Sequence, residues 1–151
     1  NKELKKEYGL RKRKEILIAQ SFLKRYKDIA KHLIADTTAQ GAKERQQMMS
    51  KLQRYGLLSP EAKLDDVLSL TLKDILERRI QTKVHRKGLA RSAKQARQFI
   101  THRHIIVGAN EITSPSYLVS LAEEEKIAFK SNSALTAADH PERIIKTEPP
   151  K

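Results

Sequence analysis

Residues 71–107 read TLKDILERRIQTKVHRKGLARSAKQARQFITHRHIIV and contain two helical patterns in succession. Thr71 can cap the first helix, whose apolar residues fall three or four positions apart, and Gly88 is a natural end for it. Ser92, with Gln95 three residues later, forms a capping box at the start of the second helix. The stretch therefore predicts two amphipathic helices, each with Arg and Lys on its outer side.

From His104 onward the apolar residues alternate in short runs, which indicates strands rather than a further helix. Gly, Asn, Ser and Pro residues separate these runs and supply the turns. The predicted strands are His104–Val107, Glu111–Thr113, Tyr117–Val119 and Lys126–Phe129. Two helices followed by a small curled antiparallel sheet make an α+β module, which we predict at residues 71–130.

The chain before this module is predicted to be a basic arm followed by a helical domain, together residues 1–70. Residues 1–14 are too rich in charge to fold by themselves, so we expect this arm to become ordered only on its partner. Apolar spacing predicts helices at Glu15–Ala35 and Ala39–Tyr55, and a short helix near Leu64. Residues 131–151 contain Pro and little periodicity, which predicts an extended C-terminal tail.

The positive charge of the chain is concentrated in two blocks. Of the net +13, residues 1–31 hold 11 Lys/Arg against 4 Asp/Glu, and residues 77–110 hold 9 against 1. Like charges repel across a compact surface unless a polyanion neutralises them. Nucleic acid is the default polyanion, and an anionic membrane surface is the alternative. No apolar run approaches the roughly 20 residues of a membrane span, so we expect no membrane partner.

Arg and Lys on the outer sides of the two helices are suited to RNA phosphates. The planar fork of Arg donates two hydrogen bonds to one phosphate, and amides at a helix N-terminus add to the attraction. For any single Arg, a solvated face or a surface ion pair is the alternative. The candidate RNA-binding residues are Lys5, Lys6, Arg11, Lys12, Arg13 and Lys14 in the arm, and Arg78, Arg79, Lys83, Arg86, Lys87, Arg91, Ser92, Lys94, Arg97, His102, Arg103 and His104 in the module.

We predict no catalytic residue, no cofactor and no metal. The chain has no cysteine, which excludes disulfides and thiolate metal sites and fits a reducing cytosol. His102 and His104 form an H-x-H pair, but no further ligand stands at a useful spacing. Residues 123–125 are three adjacent glutamates, which we expect to be solvated. Neither a nucleophile elbow nor a glycine-rich phosphate loop occurs.

The module resembles a known RNA-binding domain in the order and spacing of its residues. The pattern consists of Arg79-Ile80, Val84, Gly88-Leu89-Ala90, Ser92, Ala96-Arg97, Ile100, His104-Ile105, Val107 and Pro115-Ser116-Tyr117. It is similar to the S-four RNA-binding domain. The wider chain resembles the S-four family of small-subunit ribosomal proteins at residues 6–11, 55–58 and 64–68, and His140-Pro141-Glu142-Arg143 is most similar to the archaeal branch.

The resemblance implies a structural constituent of the small ribosomal subunit rather than an enzyme. It implies direct binding to ribosomal RNA at a multi-helix junction of the 5′ domain, and a part in nucleating subunit assembly. It further implies contacts with neighbouring small-subunit proteins, a position near the path by which messenger RNA enters, and a place in the cytoplasmic ribosome. Two alternatives stay open: an RNA-modification enzyme or subunit carrying the same domain, and a helix-turn-helix DNA-binding factor that uses residues 92–103.

Overall fold

The computed structural model describes residues 2–131 and residue 133, as a set of helices followed by a small sheet. The predicted tail, residues 131–151, therefore lies almost wholly outside the described residues. In chain order the elements are α1 (Lys2–Tyr8), α2 (Arg13–Ala35), α3 (Ala39–Arg54), a 3-10 helix (Leu64–Ser69), α4 (Leu72–Glu77), α5 (Ile80–Arg86), α6 (Ala93–Thr101), β1 (Ile105–Val107), β2 (Asn110–Glu111), α7 (Leu121–Glu124) and β3 (Ile127–Phe129). The predicted α+β fold class is confirmed.

The helical part is built on α2 and α3, which confirm the two predicted helices to within two residues at each end. The hydroxyl of Thr38 accepts a hydrogen bond from the backbone N–H of Gly41 (3.0 Å) and so caps α3. Between α2, α3 and the 3-10 helix lies an apolar core that contains Leu33, Leu52 and Val67, each fully buried. Within the described residues, no helix is both long and apolar enough to cross a membrane.

The three strands form an antiparallel sheet in the order β2-β1-β3, and α5 and α6 pack against it. Ile100 and Ile105 are fully buried at the centre of this packing. The second strand is shorter and earlier than predicted, and Tyr117–Val119 does not join the sheet. That segment instead makes a single bridge from Leu118 to Arg79.

One predicted helix is in fact two. We expected a continuous helix from Thr71 to Gly88, but α4 ends at Glu77 and α5 begins at Ile80. The break has a tertiary cause: the N–H of Ile80 donates to the carbonyl of Tyr117 (2.7 Å), and the N–H of Val119 donates to the carbonyl of Arg78 (2.8 Å). These bonds replace the helical ones at the break.

The N-terminal arm is also different from the prediction, because it packs against the rest of the protein. Residues 2–8 form α1, and Tyr8 and Leu10 are buried against Ile16, Ala19, Ile75 and Leu76. The hydroxyl of Tyr8 donates to Glu77 Oε1 (2.9 Å). The expectation considered charge alone, whereas the burial of the two apolar anchors Tyr8 and Leu10 favours packing of the segment against α2 and α4.

Candidate nucleic-acid interface

A basic groove of about 690 Å³ runs between α1 and α6. It joins the two basic blocks of the sequence, since the arm lines one side and α6 lines the other. Six of the predicted RNA-binding residues line this groove, together with Gly9, Leu10, Gln98 and Thr101: they are Lys5, Lys6, Arg11, Lys94, Arg97 and His102. The arrangement offers a concave surface of cations and amide groups, which is suited to an irregular polyanion backbone.

The turn at Gly9 fastens the arm to the module. Its carbonyl accepts hydrogen bonds from Gln81 Nε2 (3.0 Å) and Arg97 Nε (3.2 Å), and Gln81 Nε2 also donates to the carbonyl of Ala93 (2.9 Å). Gly9 has φ +63, in the left-handed region, and a Cβ there would stand 2.9 Å from the Cβ of Ala93. The close approach of the turn to α6 therefore requires glycine.

Glu15, in the first turn of α2, links the same two parts through its carboxylate. Oε2 accepts hydrogen bonds from the N–H groups of Arg11 (2.7 Å) and Lys12 (3.1 Å). Oε1 accepts from Arg79 Nη2 (2.9 Å) and from Arg97 Nη2. One carboxylate thus binds two amides of the arm and two guanidinium groups of the module.

The charge of Glu15 is strongly favoured in this setting. Burial by itself would raise the pKa of the carboxyl group, but the hydrogen bonds from the Lys12 amide, the Arg97 guanidinium and the Arg11 amide outweigh it and lower the pKa to about 2. The burial of Arg79 lowers the pKa of its guanidinium, and the neighbouring Glu15 opposes this shift. Glu15 is therefore ionised throughout the neutral pH range.

Two predicted RNA-binding arginines are internal, so that expectation is revised. Arg79 is 3% exposed and paired with Glu15. Arg78 is 7% exposed, and its Nη2 donates to the carbonyl of Val119 (2.7 Å) while Nη1 lies 3.4 Å from Glu124. A guanidinium held in this way cannot reach a phosphate without breaking buried contacts.

Three further candidates have roles inside the protein. Lys83 Nζ lies 3.0 Å from Glu124 Oε1, with its side chain mostly covered. The hydroxyl of Ser92 accepts from the N–H of Gln95 (3.0 Å), which confirms the predicted cap of α6. His104 Nδ1 lies 2.8 Å from the hydroxyl of Ser133, and its ring stands edge-on to Phe99. These contacts give the three side chains partners within the protein, and their part in RNA binding stays a prediction.

The remaining candidates are exposed but lie outside the groove: they are Lys12, Arg13 and Lys14 at the start of α2, Arg86 and Lys87 at the end of α5, and Arg91 and Arg103. Arg86 Nη2 lies 3.2 Å from Glu77, and Arg103 Nε lies 3.8 Å from Glu111. Exposed pairs of this kind contribute little to stability and break easily, so both arginines can exchange partners.

The glutamates at 123–125 were expected to be solvated, but Glu123 and Glu124 are only partly exposed and have partners within the protein. Glu123 caps α7 by accepting from the N–H of Ser120 (3.1 Å), and it also accepts from the hydroxyl of Tyr117. Burial raises the pKa of Glu124. The hydrogen bonds and positive charges of Lys83 and Arg78 lower the pKa by a larger amount, so its net shift is downward. In the described part of the chain, no group of His, Cys, Asp or Glu is arranged to hold a metal ion.

The sequence of the module matches a known family. The family model of the S4 domain matches residues 78–125. Small ribosomal subunit protein uS4 of Methanococcus aeolicus is 52% identical over 143 residues, which cover 94% of this chain and 81% of that protein. The chain belongs to the uS4 family. Small ribosomal subunit protein uS4 of Nanoarchaeum equitans is 46% identical over 146 residues, or 95% of this chain and 81% of that protein.

Membership of the uS4 family confirms the resemblance to archaeal S-four proteins that the sequence indicated. These uS4 relatives are named as ribosomal subunit proteins and not as enzymes, so the prediction of a non-enzyme is confirmed. The matched S4 domain begins at the break between α4 and α5 and contains α5, α6, β1, β2 and α7. The arm side of the groove lies outside the matched range.

Sequence reasoning missed three residues that hold this uS4 site together: Gly9, Glu15 and Gln81. Glu15 did carry a signal, because it is the acid that directly follows four consecutive cations at residues 11–14. Gly9 had only its residue type as a signal, because the arm that contains it was expected to become ordered only on its partner. Gln81 is fully buried, and nothing in its local pattern separates a buried glutamine from an exposed one.

Proposed function

We propose that this uS4 protein is a structural constituent of the small ribosomal subunit and binds ribosomal RNA directly. The observation that carries the proposal is the convergence of the two basic blocks on one groove, although they lie far apart in sequence. A protein of net charge +13 gains most from RNA when its cations are gathered, because each phosphate contact releases condensed counterions.

The groove between α1 and α6 is the proposed centre of the RNA contact. Lys5, Lys6 and Arg11 from the arm face Lys94 and His102 of α6 across it. Such a surface recognises the shape of a folded RNA backbone, because the deep major groove of A-form RNA does not admit side chains. The cations at residues 12–14, and Arg86 and Lys87, add exposed positive charge outside the groove.

The arrangement of α6 argues against the DNA-binding alternative. A recognition helix must protrude to enter the major groove of DNA. Here α1 lies beside α6, and Gly9 approaches Ala93 at the start of the helix. The helix is thus flanked by the arm, and this favours a composite RNA surface over a lone inserted helix.

The finer functions follow from family membership, and we propose them on that ground. Binding at a multi-helix junction of the 5′ domain would let the protein help nucleate subunit assembly in the cytoplasm. Contacts with neighbouring small-subunit proteins, and a position near the path by which messenger RNA enters, belong to the same proposal. No membrane is part of it.

The proposal is tested by titrating a transcript of the 5′ domain of an archaeal small-subunit ribosomal RNA at several salt concentrations. If roughly 6–8 phosphates are engaged, the logarithmic salt slope of the affinity is about −4 to −7. The Lys94→Ala variant should flatten that slope by about 0.7–0.9 and weaken binding by about 1 kcal/mol. The matched control is Lys63→Ala, because Lys63 is exposed and lies outside both basic blocks.

Circular dichroism establishes that both variants are folded before they are compared. Equal losses from Lys94→Ala and Lys63→Ala would mean that the charge acts diffusely and that the groove is not the binding surface. Affinity of the unmodified protein that does not depend on salt would contradict direct phosphate binding altogether.

A further inference from the structure

We propose that Glu15 is a positioning residue for RNA binding, which assembles the groove by holding the basic turn of residues 9–12 against α6. The inference rests on the proposed function, since it assigns the groove to RNA. An acidic residue would then hold the cations of a basic surface in place.

The geometry of the carboxylate carries the proposal. Its two oxygens face different parts of the protein: Oε2 accepts the amides of Arg11 (2.7 Å) and Lys12 (3.1 Å), and Oε1 accepts the guanidinium groups of Arg79 and Arg97. The Glu15 side chain is only 18% exposed. It therefore fills the junction between arm and module rather than facing solvent.

The neighbouring contacts show that the turn depends on this junction. Besides Glu15, two contacts attach the turn to the module: the side chain of Leu10 is buried against Ile75 and Leu76, and the carbonyl of Gly9 accepts from Gln81 and Arg97. Arg97 itself is oriented by Glu15, so the loss of the carboxylate weakens this attachment as well. Without it, Arg79 and Arg97 would repel each other with no anion between them, and the amides of Arg11 and Lys12 would lose their acceptor.

Positioning and simple charge make opposite predictions for the removal of Glu15. A carboxylate beside the groove repels phosphate, so its neutralisation would strengthen RNA binding if only net charge mattered. If Glu15 holds the turn, its neutralisation loosens residues 9–12, so Arg11 loses its fixed place on one wall and the end of α1 that carries Lys5 and Lys6 is less firmly held. Binding then has to reorder them, and the affinity falls.

The test compares Glu15→Gln with the unmodified full chain, using the same 5′-domain transcript. Gln keeps the size of the side chain but loses the attraction to Arg79 and Arg97. The apparent affinity is proportional to the fraction of molecules in which the turn is packed against α6. If that fraction falls to about one tenth, binding becomes roughly tenfold weaker. The matched control, Glu61→Gln, removes the same charge at an exposed site away from the groove and should leave binding equal or slightly tighter.

Two further readouts separate positioning from a general loss of structure. In the free Glu15→Gln protein, the amides of Arg11 and Lys12 should exchange faster with solvent, while those of α6 stay protected. In a double-mutant cycle with the pair Lys6→Ala and Arg11→Ala, the cost of Glu15→Gln should nearly vanish, because the cations that it positions are gone.

Equal or tighter binding by a folded Glu15→Gln protein overturns the inference, and so does full additivity in the cycle. If Glu15→Gln fails to fold, Gly9→Ala takes its place, because it displaces the turn without changing any charge; unchanged affinity of that variant is then the contradicting result. These failures differ from failure of the proposed function, in which the unmodified protein itself shows no salt-dependent binding to the transcript.

Discussion

Gly9 and Glu15 act at the scale of the single residue, and each contributes a property of its own residue type. Gly9 supplies a positive φ and lets the chain approach Ala93 to a distance that excludes a Cβ. Glu15 supplies two acceptor atoms in one plane for donors that come from opposite sides. The groove thus depends on one residue with no side chain and on one whose charge opposes the ligand.

The depressed pKa of Glu15 predicts a pH-dependent stability. Its pKa is 4.5 in the unfolded chain and about 2 in the folded protein, so its contribution is fully present above about pH 4.5 and is lost as the pH falls toward 2. After allowance for solvent screening, we expect Glu15→Gln to lower the free energy of unfolding by about 1–2 kcal/mol at neutral pH. Urea unfolding followed by circular dichroism should show this difference shrinking below pH 4.5. A difference that is constant with pH would show that the carboxylate charge does not matter.

At the scale of elements, the junction between α4 and α5 is held from outside by the segment that leads into α7. Arg78 is the side chain that makes the connection, through the carbonyl of Val119 and the carboxylate of Glu124. Because these contacts are buried or partly buried, their loss leaves a carbonyl without its donor. We therefore expect Arg78 to contribute to the stability of this junction rather than to RNA binding.

Replacement of Arg78 is expected to separate stability from binding. Arg78→Ala should lower the free energy of unfolding by about 2–4 kcal/mol, because it leaves buried acceptors unpaired. The salt slope of RNA binding should be unchanged, since no phosphate contact is removed. Arg25→Ala, at an exposed position of α2, is the control and should change stability by less than about 0.5 kcal/mol. A flatter salt slope for Arg78→Ala would return this residue to the RNA surface.

The elements that could be predicted from sequence are those whose signals are local. The spacing of apolar residues predicted α2 and α3, and the Ser92 cap predicted the start of α6. Each of these signals lies within a few residues of the helix that it determines. The break at residues 78–79 was not predictable in this way. Arg favours helices, the apolar period continues across the break, and the bonds that cause it come from residues 117 and 119.

The positive charge of the candidate binding surface could be predicted from sequence, but the choice of residues that line the groove could not. Both basic blocks were identified from charge, and six of the candidates line one groove. The packing of the arm against the module determines which cations face the groove. Charge alone suggested that the arm would not fold, so this selection could not be predicted. Arg79 and Lys94 look alike in sequence, and only tertiary structure separates the buried ion pair from the exposed cation.

At the scale of the whole molecule, a third apolar cluster lies between the helical part and the sheet module. It contains Tyr8 and Leu10 of the arm, Ile16 of α2, and Ile75 and Leu76 of α4. The boundary between residues 70 and 71 stays a prediction about how the chain is organised. The shared cluster indicates that the two sides of this boundary stabilise each other.

We expect the described part of the chain to unfold in a single cooperative transition. Unfolding either part would expose the third cluster and break the contacts of Glu15, which penalises states in which one part is folded alone. Thermal unfolding monitored by circular dichroism and by NMR of the isoleucine methyl groups should give coincident midpoints. The methyls of Ile29 and Ile127 report on the helical part and on the sheet. Midpoints several degrees apart for these two would show that the parts are thermodynamically independent.

The hydrogen bond from Arg97 to Gly9 joins residues 88 positions apart in the chain, and this separation has a consequence in time. A polypeptide is synthesised at about 5–20 residues per second, so the basic turn is made about 4 to 18 s before α6 is complete. During this interval one wall of the groove exists without the other. The nascent chain thus acquires both walls of the proposed RNA-binding groove only after α6 has been translated, and the order of synthesis delays the engagement of RNA until then.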